Sequence, residues 1–162
     1  MKDRTLQNYD TNKASNVKLV EQLLECGASW KINNSNKGQT LLHVAAKLGY
    51  KEVCAILVDH GANLEEGDRE GNTPLLLATK LGHSNTVSTL LERGVDINAC
   101  DKQGLKPLHV AAKMGYTEVC VALIFEAGLE DEDQDGNTPL ILATKGCHSS
   151  TCLLYTSDAA DE

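Results

Sequence analysis

Apolar residues fall along this chain in short clusters of two kinds, and the two kinds alternate. One reads Leu-x-x-Ala-Ala, as in Leu42-His-Val-Ala-Ala46 and Leu108-His-Val-Ala-Ala112, with Leu75-Leu-Leu-Ala-Thr79 and Leu140-Ile-Leu-Ala-Thr144 as variants. The other sets larger residues at helical spacing, as in Val53, Ile56, Leu57 and Val87, Leu90, Leu91. The first kind predicts a helix with one narrow apolar face, its alanines small enough to let a neighbouring helix come close. The second predicts a helix closing at Gly61 or Gly94 and running into an extended finger that leads to an Asp-x-x-Gly turn. The whole unit recurs. Gly38-Gln-Thr-Leu-Leu-His-Val-Ala-Ala-Lys-Leu-Gly49 has near-copies beginning at Gly71, Gly104 and Gly136, so the leading glycines return at an almost constant spacing. A fixed period of roughly 33 residues marks a stack of repeats, in which neighbours bury the apolar faces that no repeat can bury alone.

The polar residues punctuate the same units. Thr40, Thr73 and Thr138 stand where a hydroxyl caps a helix start. Pro74, Pro107 and Pro139, the three prolines of the chain, follow the cap position, where a missing N–H costs nothing. Lys106 replaces the capping threonine in the third copy. Gly49, Gly82 and Gly115 end the first helix and permit a left-handed turn.

At these residues the chain resembles the ankyrin-repeat family. The shared pattern is G-x-T-P-L-H-x-A-A-x-x-G followed by E-V-x-x-L-L-x-x-G-A-x-x-N, and it extends over residues 16 to 151. The resemblance implies an all-α solenoid of helix–turn–helix repeats with β-turn fingers. It divides the chain into a degenerate N-terminal capping repeat (1–34), repeats at 35–67, 68–100 and 101–132, and a truncated repeat at 133–151. Residues 6–14 carry little apolar face for the first helix of the capping repeat, whereas Val17, Leu19, Val20, Leu23 and Leu24 predict its second helix. The first and third full repeats share His-Val-Ala-Ala-Lys-x-Gly-Tyr-x-Glu-Val-Cys. The second and fourth share Gly-Asn-Thr-Pro-Leu and Leu-Ala-Thr-Lys, so a pair of repeats, about 66 residues, looks duplicated.

After Thr151 the pattern stops. Leu153-Leu154 falls two places before the Leu pair of the second repeat, and Cys152-Leu-Leu-Tyr-Thr-Ser-Asp-Ala-Ala-Asp-Glu162 resembles a translated sequencing-library adaptor. On that reading 152–162 is a non-native tail that contributes nothing to folding or binding.

Composition narrows the function. Fifteen basic residues against 23 acidic ones, a formal charge of −8, argue against a nucleic-acid binder that relies on a basic face. One Phe, one Trp and four Tyr leave no base-stacking platform. The longest apolar run, 119–125, is far short of a membrane span, and the N-terminus has no apolar signal core. The chain therefore reads as cytoplasmic or nuclear, and as a monomer. Cys54 and Cys120 occupy equivalent positions in two second helices, and no C-x-x-C pair exists. The six cysteines read as reduced thiols rather than a disulfide or zinc framework.

No catalytic constellation stands out, and neither a metal nor a cofactor is expected. His43 and His109, three residues past the cap position, are expected to bond the turn and neighbouring backbone, a role the resemblance implies. The acidic finger Glu130–Asp135 lacks calcium-loop spacing and reads as a solvated face. Asn33-Asn34-Ser35 is a glycosylation sequon only in a secreted chain. Val95-Asp-Ile-Asn98-Ala resembles fingers that asparagine hydroxylases modify, against the plainer role of turn hydrogen bonding. The resemblance also implies a protein partner, bound on the concave side by finger tips and first-helix ends. Those places include Arg69, Asn72, Lys102 and Leu105 in the fingers. At the helix ends they are Lys47-Leu48, Lys80-Leu81, Lys113-Met114 and Lys145. A lysine ladder beside an apolar strip fits an acidic, partly apolar peptide, and lysine that merely complements a helix dipole is the alternative. The chain then acts as a protein-binding module without catalysis, or as the targeting fragment of a larger enzyme or ubiquitin-ligase subunit.

Overall fold

The computed structural model describes residues 17–27 and 37–157. The predicted helix over 6–14, Asn36, the sequon at 33–35 and the end of the tail lie outside them. The described chain forms α1 (17–25), α2 (Leu41–Lys47), α3 (Lys51–Asp59), α4 (Pro74–Lys80), α5 (Ser84–Glu92), α6 (Pro107–Met114), α7 (Thr117–Ile124), α8 (Pro139–Lys145) and α9 (Ser149–Ser157). First helices α2, α4, α6 and α8 lie side by side in one layer. Second helices α3, α5, α7 and α9 form the other, and each repeat joins the layers as a helical hairpin. The fold is the all-α stack of repeats that the resemblance implies.

Each hairpin is built by the same local chemistry. Thr40, Thr73 and Thr138 hold extended backbone, and their hydroxyls accept from the N–H of His43, Leu76 and Ile141 at 3.4, 3.3 and 3.4 Å. Lys106 keeps the same backbone geometry with no side-chain cap. Gly49, Gly82 and Gly115 then turn left-handed, with φ of 73°, 70° and 71°. The next residue bends the chain through a three-residue turn, as in Ser84 N–H to the Gly82 carbonyl at 3.0 Å, and the second helix begins.

These glycines also receive the following repeat. A Cβ on Gly49 would meet the His83 ring at 2.8 Å and one on Gly82 the Tyr116 ring at 3.1 Å, while one on Gly115 would run into the His148 ring. His83 and His148 then bond, through Nε2 at 3.0 Å, the carbonyls of Lys47 and Lys113, groups a helix end leaves without internal partners. In the fourth repeat the glycine comes one residue early. Cys147 takes the left-handed conformation, with φ 57°, in its place.

Leu42, Leu75 and Leu108 line the core beside Ala45, Ala46, Ala78, Ala111, Ala112 and Ala143. Leu57, Leu90 and Leu123 meet them from the second layer. Leu24 packs on this core, whereas Leu19 and Leu23 of α1 are exposed.

The tail departs from expectation. Instead of ending the repeat at Thr151, α9 runs through Ser157 and packs on α7 and α8. Aligning Gly136 with Gly104 puts Cys152 where α7 has Cys120, and Tyr155 where it has Leu123. Tyr155 is buried in the core, so the slot is filled by an aromatic ring rather than by the missing leucine. Its hydroxyl lies beside the Cys120 thiol but makes no hydrogen bond, and burial raises the phenol well above its ordinary range.

Candidate concave binding surface

The finger turns are held by aspartates. Asp68 Oδ1 accepts from the N–H of Glu70 and of Asn72, both at 2.9 Å. Asp101 Oδ1 accepts likewise from Gln103 and Leu105, and Asp133 Oδ1 from Asp135 and Asn137. Burial alone would raise the Asp68 and Asp133 carboxyls. The hydrogen bonds outweigh it, from Gln39, Asn72 and Glu70 to Asp68 and from Asn137 and Asp135 to Asp133, and hold both below the usual carboxylate range. Successive turns are joined by main chain, Arg69 N–H to the Lys37 carbonyl at 3.0 Å and Lys102 N–H to the Glu70 carbonyl at 3.3 Å. Arg69, Lys102 and Gln134 therefore occupy the same place on consecutive finger tips.

His43 is fully buried and ties its own cap to the next finger. Its Nδ1 accepts from Thr40 N–H at 3.1 Å, which puts the ring proton on Nε2, where it donates to the Asn72 carbonyl at 3.0 Å. Burial lowers its pKa, keeping the ring neutral. The structural role expected of it is the one it performs. His109 departs. With Lys106 offering no hydroxyl, its Nδ1 is buried and unpartnered, and Nε2 turns to the Asp131 carbonyl at 2.9 Å. The Lys106 ammonium instead bonds Asp131 at 2.7 Å and Asn98 Oδ1 at 3.4 Å. Asn98 is exposed. Its own N–H goes to Asp96, and its side chain reaches Lys106 rather than the finger backbone.

The first-helix ends expose the apolar strip that the sequence predicts, with Leu48 at 52%, Leu81 at 47% and Met114 at 48%. The lysines beside them are not equivalent. Lys80 Nζ bonds Asn72 Oδ1 within its own repeat and Asp101 Oδ2 of the next at 2.9 Å; the Asp101 side chain is 1% exposed. Lys145 bonds only Asn137 Oδ1 among the described residues. The ammonium groups of Lys47 and Lys113 make no hydrogen bond or ion pair among the described residues. Asn72, expected as a surface contact, is buried and belongs to the Lys80 network, and Leu105 is half-buried. The signal that separates Lys80 from Lys47 is the residue after the finger glycine, both in its own repeat (Asn72 against Gln39) and in the next (Leu105 against Asn72). It becomes readable only once each lysine is set beside the following repeat's aspartate.

Among the described residues no group of three His, Cys, Asp or Glu side chains is placed to hold a metal ion. No helix there is long and apolar enough to cross a membrane.

Paired short helices, threonine caps, left-handed glycine turns and stacked aspartate-headed fingers define a helix–turn–helix repeat solenoid. The family described as Ankyrin repeats (3 copies) matches the chain over residues 11–101 and 93–161, and the chain belongs to that family. Ankyrin repeats are, in general, protein-binding modules. No curated protein matches the chain.

Proposed function

We propose that this protein binds a partner protein through the concave side of the stack, along the finger tips and the ends of α2, α4 and α6, and performs no chemistry of its own. The observation that carries the reading is the row Leu48, Leu81, Met114. These three large apolar side chains stand about half exposed at the same position of successive repeats, each next to a lysine. Apolar groups held in register on a rigid frame lose little conformational freedom on association, which favours binding. Cations around them favour an acidic partner and speed its approach.

The test compares faces. Partners captured from lysate by the wild-type chain are measured again with Leu81→Ser/Met114→Ser, and with Phe125→Ser, which alters the most exposed large apolar side chain at the end of a second helix (84%). The concave pair should speed dissociation severalfold, since desolvated central contacts dominate residence time. Phe125→Ser should leave it unchanged. The opposite result assigns the interface to the second-helix side.

A further inference from the structure

The lysine at the end of each first helix meets one of two environments, and the choice is made by the carboxylate of the next finger turn. Asp101 uses Oδ1 for the N–H groups of Gln103 and Leu105. The residue after its glycine is Leu105, which has no amide side chain to offer, so Oδ2 is left for Lys80. Asp68 is different. Its Oδ2 takes Nδ2 of Asn72 at 3.2 Å and, from the preceding repeat, Nε2 of Gln39 at 3.1 Å. Gln39 stands where Lys80 has Asn72, and its longer side chain delivers an amide N–H to the carboxylate that the lysine would otherwise claim. With Asn72 and Gln39 both on Asp68, the Lys47 ammonium is left without a partner among the described residues.

The space beside it is a cleft of about 190 Å³ between the first two finger turns, lined by Lys37, Lys47, Arg69, Gln39, Asp68 and Glu70, with Asn72 and Leu77. Both acids in that lining are already committed: Asp68 to Gln39, Asn72 and Glu70, and Glu70 Oε2 to Asn72 Nδ2 at 3.3 Å. The ammoniums of Lys37 and Lys47 are not committed to any described residue. With both acids held by hydrogen bonds, the ammoniums of Lys37 and Lys47 are the charges left to meet a partner. The matching positions two repeats on carry Lys113, Asp133 and Asp135, with Gln103 and Gln134 where the first site has Lys37 and Arg69. There the balance is negative.

We propose that this cleft is the carboxylate-anchoring subsite of the concave surface, taking one Asp or Glu side chain of an extended partner segment whose neighbouring apolar residues lie over Leu48 and Leu81. The proposal rests on the concave reading above and makes it narrower. One lysine of the four carries the electrostatic contact, Lys80 serves the fold, and the acidic fourth finger lies outside the footprint. Neighbouring helices sit about 8–10 Å apart, so an anchor at Lys47 and an apolar contact at Leu81 span roughly three extended residues.

The probe is a displayed library of short peptides with one fixed Asp or Glu flanked by randomised apolar positions, panned on the full chain beside a library carrying Asn or Gln at the fixed position. Enriched peptides are synthesised and titrated by fluorescence anisotropy. The acidic library should enrich, and Lys47→Met should weaken its peptides about fivefold, the upper range for a partly exposed ion pair. Lys113→Met should change them less than about twofold. Equal enrichment from both libraries, no enrichment from either, or binding indifferent to Lys47→Met would overturn the anchor. If enriched peptides lose affinity with Leu81→Ser and not with Lys47→Met, the concave reading stands and only the anchor fails. If they respond to neither, both fail.

Discussion

Two threonine hydroxyls in the second repeat are buried with no partner. Thr79 and Thr86 sit where the first and third repeats carry Ala46, Ala112, Val53 and Val119. An unpaired hydroxyl in the interior is destabilising, and at Thr86 valine has nearly the same shape. Thr86→Val should therefore raise the urea midpoint, by about 1 kcal/mol in stability, with the denaturant slope unchanged. Lys106→Thr should act in the same direction. It supplies a cap and a partner for His109 Nδ1, together about 1–2 kcal/mol, against a partly exposed Lys106–Asp131 pair contributing at most about 1 kcal/mol. The thiols divide by burial. Desolvation pushes Cys54 up to about 12 and Cys120 to about 11, while Cys26, Cys100 and Cys147 are exposed. A thiol reagent should modify the exposed three quickly in native protein and reach Cys54 and Cys120 only on unfolding; mass spectrometry of timed samples reads the order. His43 fixes a pH response. Its folded pKa lies below 6.5 and the unfolded chain takes up the proton first, so stability falls as pH drops through 6.5 toward the folded value. Melting curves recorded from neutral pH down through that value should show the slope, and His43→Gln should remove His43's share of it. Asp68 and Asp133, with pKa values lowered from 3.8, act in a separate and more acidic window.

Helices in this chain are short enough that their ends decide them, and the ends are what the sequence spells out. Thr-Pro at the start and Gly at the stop can be read locally, which is why α4 and α8 can be anticipated almost to the residue. The last element escapes such a reading for a physical reason. A search for a leucine pair at its expected place misses that packing needs bulk at the position equivalent to Leu123 and is indifferent to which apolar residue supplies it. In the last repeat that position belongs to Tyr155. Ending the chain after Thr151 should consequently lower the thermal midpoint by several degrees, where a passive tail would leave it unmoved. For a domain of this size that corresponds to about 1–2 kcal/mol. Tyr155→Phe separates the ring from its hydroxyl. It should keep the midpoint or raise it, because the buried oxygen has no partner.

Across the whole molecule, the lysines at corresponding positions look interchangeable in the sequence and are not. What Lys80 does depends on Asp101 in the next repeat, and on Leu105 leaving that carboxylate unclaimed; what Lys47 does depends on Gln39 and Asp68. Such relations run between repeats, whereas the periodicity that reveals the fold compares each repeat only with the average of the others. Lys80→Met strands a buried carboxylate and should cost about 1–2 kcal/mol, discounted from the value for fully buried pairs because the lysine is one-third exposed. Lys47→Met should cost almost nothing in stability. Parallel urea titrations of the two variants check the contrast.

The alternation of free and paired lysines has a consequence for how such a chain can be lengthened or shortened. If a single repeat were a self-sufficient brick, any one could be excised and the rest would close up. Here removal of 68–100 would set His43 against a turn headed by Asp101 and place Gln39 in competition with Lys47 for the same oxygen. Removal of two consecutive repeats would bring back neighbours that already fit. The smallest piece that can be copied, moved or deleted without rewriting its borders is the pair, and insertion of a whole pair should be tolerated where insertion of one repeat is not.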